Sequence, residues 1–495
     1  MSAIRQFAGQ TVIYGIGSVL SRIVNYLVIV ILLTYLLGDK TGEFGTYAYF
    51  YAYATVLVTL FSFRLDTALF RYGNKNENLK TAFNTSLTLV LGTALILALI
   101  GTLGSQPIAN LIGFSNEARY VQWMAYIIAF DVINLLPFAK LRLTNKAKAF
   151  ALYKILNVAL MVSLVLIFLI LFPRLRAQGW DNLPTLPSII DWMFIANLIA
   201  SAVLFLLLLP QIRGYSPSID SALARKMLRY AFPLVIVGMA NGFIQFFGVP
   251  LQKLFLGEDT FQNLESAGIY DFTRRVAGLF VLFTTAFNYA AEPFFFNNSS
   301  KEDRKELYGK ICRLFVLVSG IVILGLYLGL DLIKYLADSN YWGSLHLLPI
   351  LLMAYLFLGI YYNVSIWYKL ADKTSYGAMI SIIGVVITLV ISIVFLPRIG
   401  FAASAWAALL TYLSMLVIGY VTGQKNYPIS YPLASIVKDV TVISMLLFVA
   451  YWVREEASVA IKYVVNFVMF IGFLGYVWVA EKVEWKRMFG GKGPV

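Results

Sequence analysis

The chain is 495 residues long, 60% hydrophobic and only 13% charged, with a mean hydropathy of +0.78. Soluble domains run about 45–50% apolar and about 25% charged, so this composition excludes an ordinary soluble enzyme and, more firmly, a disordered chain; the surplus apolar surface has to face lipid. One cysteine, Cys312, and one histidine, His346, build neither a disulfide framework nor a Cys/His metal site, and a formal net charge of +14 in so apolar a chain marks basic loops, not nucleic-acid binding.

A transmembrane helix needs ~20 mainly apolar residues. In chain order such segments fall near 10–37, 44–66, 82–104, 118–140, 150–172, 189–210, 228–252, 267–291, 309–331, 346–368, 374–396, 400–422, 434–453 and 459–480. The start, Met1 to Gln10, is too polar and the run after it too long for a cleaved signal peptide, so the first segment is expected to stay. The segments near 44–66 and 267–291 carry charge, and Pro233 and Pro250 interrupt the one near 228–252. No connection between segments is long enough for a soluble catalytic domain; His346, at a helix end, reads as an interfacial histidine and not as a catalytic base. The expected fold is an all-α integral membrane protein of about fourteen transmembrane helices.

Apart from four arginines inside the spans, the 39 Lys and Arg residues divide about three to one between the two sides of this span plan, which places the richer side in the cytoplasm. Both termini are then expected to be cytoplasmic, with Asp39–Glu43 and Arg454–Lys462 outside.

The chain also resembles itself. Leu37-Gly38-Asp39-Lys40-Thr41 followed by Phe44-Gly45-Thr46-Tyr47 recurs as Leu256-Gly257-Glu258-Asp259-Thr260 followed by Ala267-Gly268-Ile269-Tyr270; Lys146 and Phe150 open a span ending at Pro173-Arg174-Leu175, and Lys373 and Tyr376 open one ending at Pro397-Arg398-Ile399. An even number of spans per copy keeps both copies in one orientation, which predicts two six-helix lobes related by a pseudo-two-fold along the membrane normal, with the substrate site between them. The expected division is an N-lobe over 1–218, a C-lobe over 219–428, and an extra helix pair with a tail over 429–495.

Ionisable residues inside a bilayer are costly and usually face a cavity or a partner. Arg22 lies about 18 Å along the first span at 1.5 Å per residue, with Asn25 at i+3 on the same face. Arg64 and Asp66 lie near the cytoplasmic end of the second span, and Asp131 is mid-way through the fourth. Asp271, Arg274, Arg275 and Gly278 follow i, i+3, i+4, i+7 spacing on the eighth, which Glu292 closes; Asn241 and Gln245 sit in the seventh. Arg64 and Glu292 could instead snorkel to the interface, Asp271 could form an intrahelical pair with an arginine, and Asp131 could be a buried partner of Arg22. All four intramembrane cations are arginine, whose planar fork suits phosphate oxygens, so a cationic cavity for an anionic ligand is expected. Aromatic residues early in the second span, Tyr47 to Tyr53, offer faces on which sugar rings stack; an interfacial aromatic belt has the same pattern.

At this point a resemblance carries weight. Fourteen spans, two six-span repeats and intramembrane arginines resemble the multidrug/oligosaccharidyl-lipid/polysaccharide exporter superfamily. Ser21-Arg22, the stretch Leu37 to Gly45, Tyr230-Ala231-Phe232-Pro233-Leu234 and Gly268-x-Tyr270 resemble its Wzx-type oligosaccharide-lipid flippases. The sequence keeps Ser-Arg in the first span but has Ile23-Val24-Asn25-Tyr26 where lipid II flippases of the MurJ type would continue with Gly-x-x-Arg. Drug exporters of the superfamily typically have twelve spans and lack the pair at 434–480.

The resemblance implies a transporter, not an enzyme. It would move undecaprenyl-diphosphate-linked oligosaccharide from the inner to the outer leaflet of the bacterial plasma membrane by alternating access, for lipopolysaccharide, O-antigen or capsule assembly. The partners implied are that lipid-linked glycan, the bilayer and a downstream polymerase or ligase, with the chain acting as a monomer; a lipid II flippase or a cation/drug antiporter is the alternative. Arg22, Asn25, Arg64, Asp66, Gln245, Asp271, Arg274 and Arg275 would line the cavity, and Asp131 and Glu292 are candidates for ion coupling. No cofactor is expected beyond H⁺, Na⁺ or the membrane potential as an energy source. The last two spans, with Phe467, Phe470, Phe473 and Trp478, would border a groove for the lipid tail or simply face lipid.

Overall fold

The computed structural model describes residues 30–73, 76–257, 259–297, 304–371, 373–456 and 458–489. Among them every long element is a helix. We label α1 Val30–Leu37, α2 Thr41–Ser62, α3 Leu65–Tyr72, α4 Asn76–Leu103, α5 Ser105–Leu111, α6 Ala118–Leu143, α7 Ala147–Leu166, α8 Ile189–Ile212, α9 Ser221–Phe246, α10 Gly248–Phe255, α11 Thr260–Asn297, α12 Arg304–Leu328, α13 Leu348–Val364, α14 Ser375–Ile399, α15 Ala402–Asn426, α16 Leu433–Glu456 and α17 Val459–Phe489.

Twelve helical stretches of the described residues are long and apolar enough to cross a membrane, and each coincides with an expected span. Two expected spans are not among the twelve, for different reasons. Of the first, only α1 is described; Arg22, Asn25 and the Ser21-Arg22 motif lie outside the described residues. The other is α11, 38 residues long and crowded with the charges of Asp271, Arg274 and Arg275. Helix also runs further than expected after span five: one π-helical turn, Ile167–Leu171, and a last piece, Phe172–Ala177, carry it past Pro173, the wider turn lying just where proline interrupts the hydrogen-bond ladder.

The first lobe packs α4 and α8 on α6, with α7 outside α8; the second packs α14 and α13 on α15 and α9 on α14. The lobes meet where α2 runs along α9 and α11. The extra pair sits on the flank of the second lobe, α16 against α12 and α17 against both. The protein is therefore an all-α, two-lobed membrane protein with an appended C-terminal helix pair.

Polar contacts fix that pair at both ends. Asp439 on α16, fully buried, accepts from Nε of Arg313 on α12 at 3.1 Å and from the Tyr476 hydroxyl on α17. At the opposite end Asp331 accepts from Arg454 at 2.9 Å and pairs with Lys462 at 2.8 Å and Lys334 at 3.5 Å. The four aromatic residues singled out on the last span divide: Phe473 is buried against Gly320 of α12 and Phe470 lies beside Gly325, while Phe467 and Trp478 point outward, as residues facing lipid do.

Candidate functional site

The site is the seam between the lobes, and its closed end is built on two glycines. A Cβ on Gly45 would lie 2.0 Å from the Leu264 carbonyl oxygen, and one on Gly268 would lie 2.2 Å from that of Thr41. Only glycine lets α2 and α11 cross this closely. Around the crossing, Phe44 meets Tyr341 edge to face at 5.4 Å and the Tyr35 hydroxyl donates to the Tyr335 carbonyl. Lys253 of α10 donates to the Ile112 carbonyl at 2.6 Å with its ammonium over Tyr49 and Phe114. Lys253 thus reaches from the second lobe to the first, although in sequence it reads only as a loop charge.

One to two helical turns along α11 from the crossing sits an ion triad. The Asp271 carboxylate, 1% exposed, takes Nε of Arg274 at 2.7 Å on one oxygen and Nε of Arg275 at 2.5 Å on the other. The intrahelical pairing left open by the sequence is present, with both arginines in it. The two do not share a face, however. Adjacent residues on an α-helix are about 100° apart. Arg274 turns into the second lobe, over Phe246 at 4.9 Å, in a small cavity lined also by Gln245, Tyr270, Tyr355 and Tyr412. Arg275 turns towards the first lobe, 5.3 Å over Phe44 and 5.8 Å over Tyr47, beside Val30 and Ile31 of α1. The expectation of one common cavity lining is thus corrected: Arg274 and Gln245 belong to the interior of the second lobe and Arg275 to the seam.

Arg64 lies further along the seam, where the second span breaks. Phe63 and Arg64 both adopt the left-handed conformation, φ 45° and 50°, which costs about 1–2 kcal/mol per residue without glycine. The break is stabilised from outside: Thr93 of α4 donates to the freed Phe61 carbonyl at 2.9 Å, and the Ser62 hydroxyl accepts from the Arg64 backbone N–H at 3.3 Å. The Arg64 side chain is thereby laid along α9, its Cδ 3.9 Å from where a Cβ on Gly238 would stand. Its Nε is buried with no hydrogen-bond partner, as is one carboxylate oxygen of Asp66. Among the described residues, Arg64 is a cation at the seam without a carboxylate.

Asp131 is elsewhere, in the interior of the first lobe. Its carboxylate accepts from Ser201 of α8 at 2.7 Å; Asn197 lies beyond Ser201 at 3.5 Å and donates in turn to the Tyr51 hydroxyl, while Asn134 donates to the Ser201 carbonyl at 3.1 Å. This polar ladder joins α6, α8 and α2. Ser201, Asn197 and Tyr51 carry no motif, so only the structure reveals it. Asn241 lies half-buried on α9. The side chain of Glu292 falls outside the described residues. His346 is exposed, its ring 3.0 Å from the Gly343 carbonyl, and among the described residues no group of three His, Cys, Asp or Glu side chains gathers as a metal site would.

Two lobes closing on a cationic seam form the centre of this multispan membrane protein. The chain belongs to the polysaccharide biosynthesis protein family, whose model matches residues 8–299. Comparison with curated protein sequences gives no match. Among solved structures, lipid II flippase MurJ in an inward closed conformation superposes with a TM-score of 0.69 at 13% identity, covering 95% of this chain and 99% of that one. An inward-facing multidrug resistance MATE family transporter of the MOP superfamily gives 0.63 at 14%, covering 83% and 95%. A MOP superfamily transporter from Pyrococcus furiosus, whose binding pocket is described as of reverse polarity, gives 0.59 at 15%, covering 84% and 95%. At these identities the likeness is one of fold.

Proposed function

We propose that this protein flips undecaprenyl-diphosphate-linked oligosaccharide from the inner to the outer leaflet of the bacterial plasma membrane, by alternating access, for the assembly of a surface polysaccharide such as O-antigen or capsule. The observation that carries this reading is Arg64, a half-buried seam cation with no carboxylate partner among the described residues, in a chain of the polysaccharide biosynthesis family. A carrier of organic cations would line its seam with carboxylates and aromatics instead. In this reading Arg64, Arg275 and Arg22 hold the diphosphate by charge-assisted hydrogen bonds, the Tyr47–Tyr53 stretch meets sugar rings, and the lipid tail stays in hydrocarbon. The end rich in Lys and Arg, with both termini, faces the cytoplasm. Asp131, which accepts a hydrogen bond from Ser201, is the candidate for ion coupling.

The likeness of fold to MurJ over nearly the whole of both chains favours lipid II as a second reading. Proteoliposomes containing the purified protein and a fluorescent lipid-linked glycan decide between them. Flipping of a lipid-linked oligosaccharide but not of lipid II supports the proposal; flipping of lipid II alone moves the chain to peptidoglycan assembly; flipping of neither overturns both.

A further inference from the structure

A cavity of about 290 Å³ lies on the outer flank of the second lobe, away from the seam. It exists because α16 packs along α12 and stands off α15, leaving a gap floored by α13 and α12. Cys312, Leu416, Val417, Ile436 and Val440 are among its apolar walls, and the one phenol hydroxyl there that is buried without a hydrogen-bond partner belongs to Tyr431. The helix α13 stands between this cavity and α11, so the cavity is not part of the path between the lobes.

Four observations define its occupant. About ten waters at ~30 Å³ each would be needed to fill it, and its walls give them almost nothing to bond, so it is not a water site. Its mouth faces lipid: Val437 is 61% exposed and Val417 51%, in a surface that continues as Val421, Met445 and Phe448. It spans Leu413 to Tyr420 on α15, ~10 Å at 1.5 Å per residue, the reach of a short stretch of hydrocarbon chain. It ends at the basic end of the bundle, under Tyr431, with exposed Lys425 and Lys438 to either side in sequence, a setting that attracts anionic headgroups.

We propose that the cavity holds one acyl chain of an anionic glycerophospholipid from the leaflet at the basic end, with the Tyr431 hydroxyl donating to an ester or phosphate oxygen. Such a lipid wedges α16 against the second lobe and completes the packing that α15 lacks. The site is independent of what the carrier transports.

Cys312, the only cysteine in the chain, reports on occupancy. The full-length protein, delipidated in detergent, is given phosphatidylglycerol or phosphatidylcholine, followed by native mass spectrometry and timed mercuration of Cys312 with methylmercury. The expected result is one retained phosphatidylglycerol per chain, weaker retention of phosphatidylcholine, and slowed mercuration when phosphatidylglycerol is bound. Leu416→Phe, which fills the cavity, should lose the lipid, and Tyr431→Phe should weaken retention about tenfold, the worth of one hydrogen bond to a charged group. Val421→Phe, on the lipid face of α15 but outside the cavity walls, should keep it. Unchanged retention in Leu416→Phe overturns the proposal. So does wild-type Cys312 that mercurates equally fast with and without phosphatidylglycerol, a measurement that needs no variant to fold. Protection by a polyprenyl diphosphate but not by phosphatidylglycerol overturns it in favour of the transported lipid's tail.

Discussion

Gly45 and Gly268 face each other across the crossing of α2 and α11: a Cβ on Gly268 would come within 2.9 Å of the Gly45 nitrogen, and one on Gly45 within 3.2 Å of the Gly268 nitrogen. The same two glycines stand at equivalent points of the internal repeat. Equivalent residues touch one another only where a two-fold axis passes between them, so the contact marks the axis that relates the lobes. It also means that the lobes are closed at this end, backbone to backbone. Cysteines at Gly42 and Glu265, where a Cβ on Gly42 would stand 3.2 Å from the Glu265 Cγ, should form a disulfide in a Cys312→Ser background. Adding Gly45→Val, which forces the helices apart by about 1 Å or more because nothing at 2.0 Å can be tolerated, should abolish the cross-link and transport together. A cross-link that forms as fast in the Gly45→Val protein shows that the crossing is not the closure.

The Asp271 triad makes a prediction of the opposite kind, about folding before function. Breaking a buried ion pair by removing one partner typically costs about 3–5 kcal/mol, because the charge left behind is uncompensated. Asp271→Asn leaves two arginines on α11 with their shared carboxylate gone, so it should lower the thermal unfolding temperature in detergent and the amount of protein in the membrane. Arg274→Gln in the same chain should restore much of that loss. If Asp271→Asn is as stable as the parent, the arginines are held by something other than Asp271.

Much of this architecture is legible in sequence because hydropathy and charge are read locally. Twelve spans match their stretches of helix, and the ion triad is visible as spacing. What the sequence hides depends on direction or distance. Arg274 and Arg275 look like one face because both fit the spacing from Asp271, yet consecutive residues diverge by about 100° and end in different lobes. The break at Phe63-Arg64 is invisible because no glycine or proline announces it; Thr93, on the next long helix, supplies the hydrogen bond that permits it. Lys253 reads as a loop charge because only the folded chain brings Ile112 to it, and the Asp131 ladder rests on Ser201 and Asn197, polar residues common in any helix.

The clasp of the extra pair is sensitive to pH. Burial pushes the Asp331 carboxyl up, but the hydrogen bond from Lys462 and the charges of Arg454, Lys462 and Lys334 outweigh it and hold the group below its ordinary value. A carboxylate with a depressed folded pKa adds stability above its unfolded pKa, about 3.9, and loses it as pH falls through the folded value. The parent should therefore be more stable than Asp331→Asn at pH 7, with the difference shrinking steadily below about pH 4. Unfolding temperatures of both proteins from pH 7 to pH 3 test this, and a difference that stays constant across that range excludes the ionised clasp.

Arg64 gives the sharpest separation of binding from folding. It is half-buried at the seam, its Nε has no hydrogen-bond partner, and no carboxylate among the described residues pairs with it, so removing it orphans none. Arg64→Ala should therefore unfold at nearly the parent's temperature and reach normal abundance, unlike Asp271→Asn. If the guanidinium holds a diphosphate, each lost charge-assisted hydrogen bond is worth roughly 1.5–3 kcal/mol, and substrate binding should weaken by about ten- to a hundredfold. Arg64→Lys keeps the charge but loses the planar fork and should recover only part of this. The measurements are complementation in cells, abundance in the membrane and binding of a polyprenyl diphosphate to the purified protein. An Arg64→Ala protein that is abundant, binds the diphosphate like the parent and complements fully removes Arg64 from the site, and with it the observation on which the anionic substrate rests.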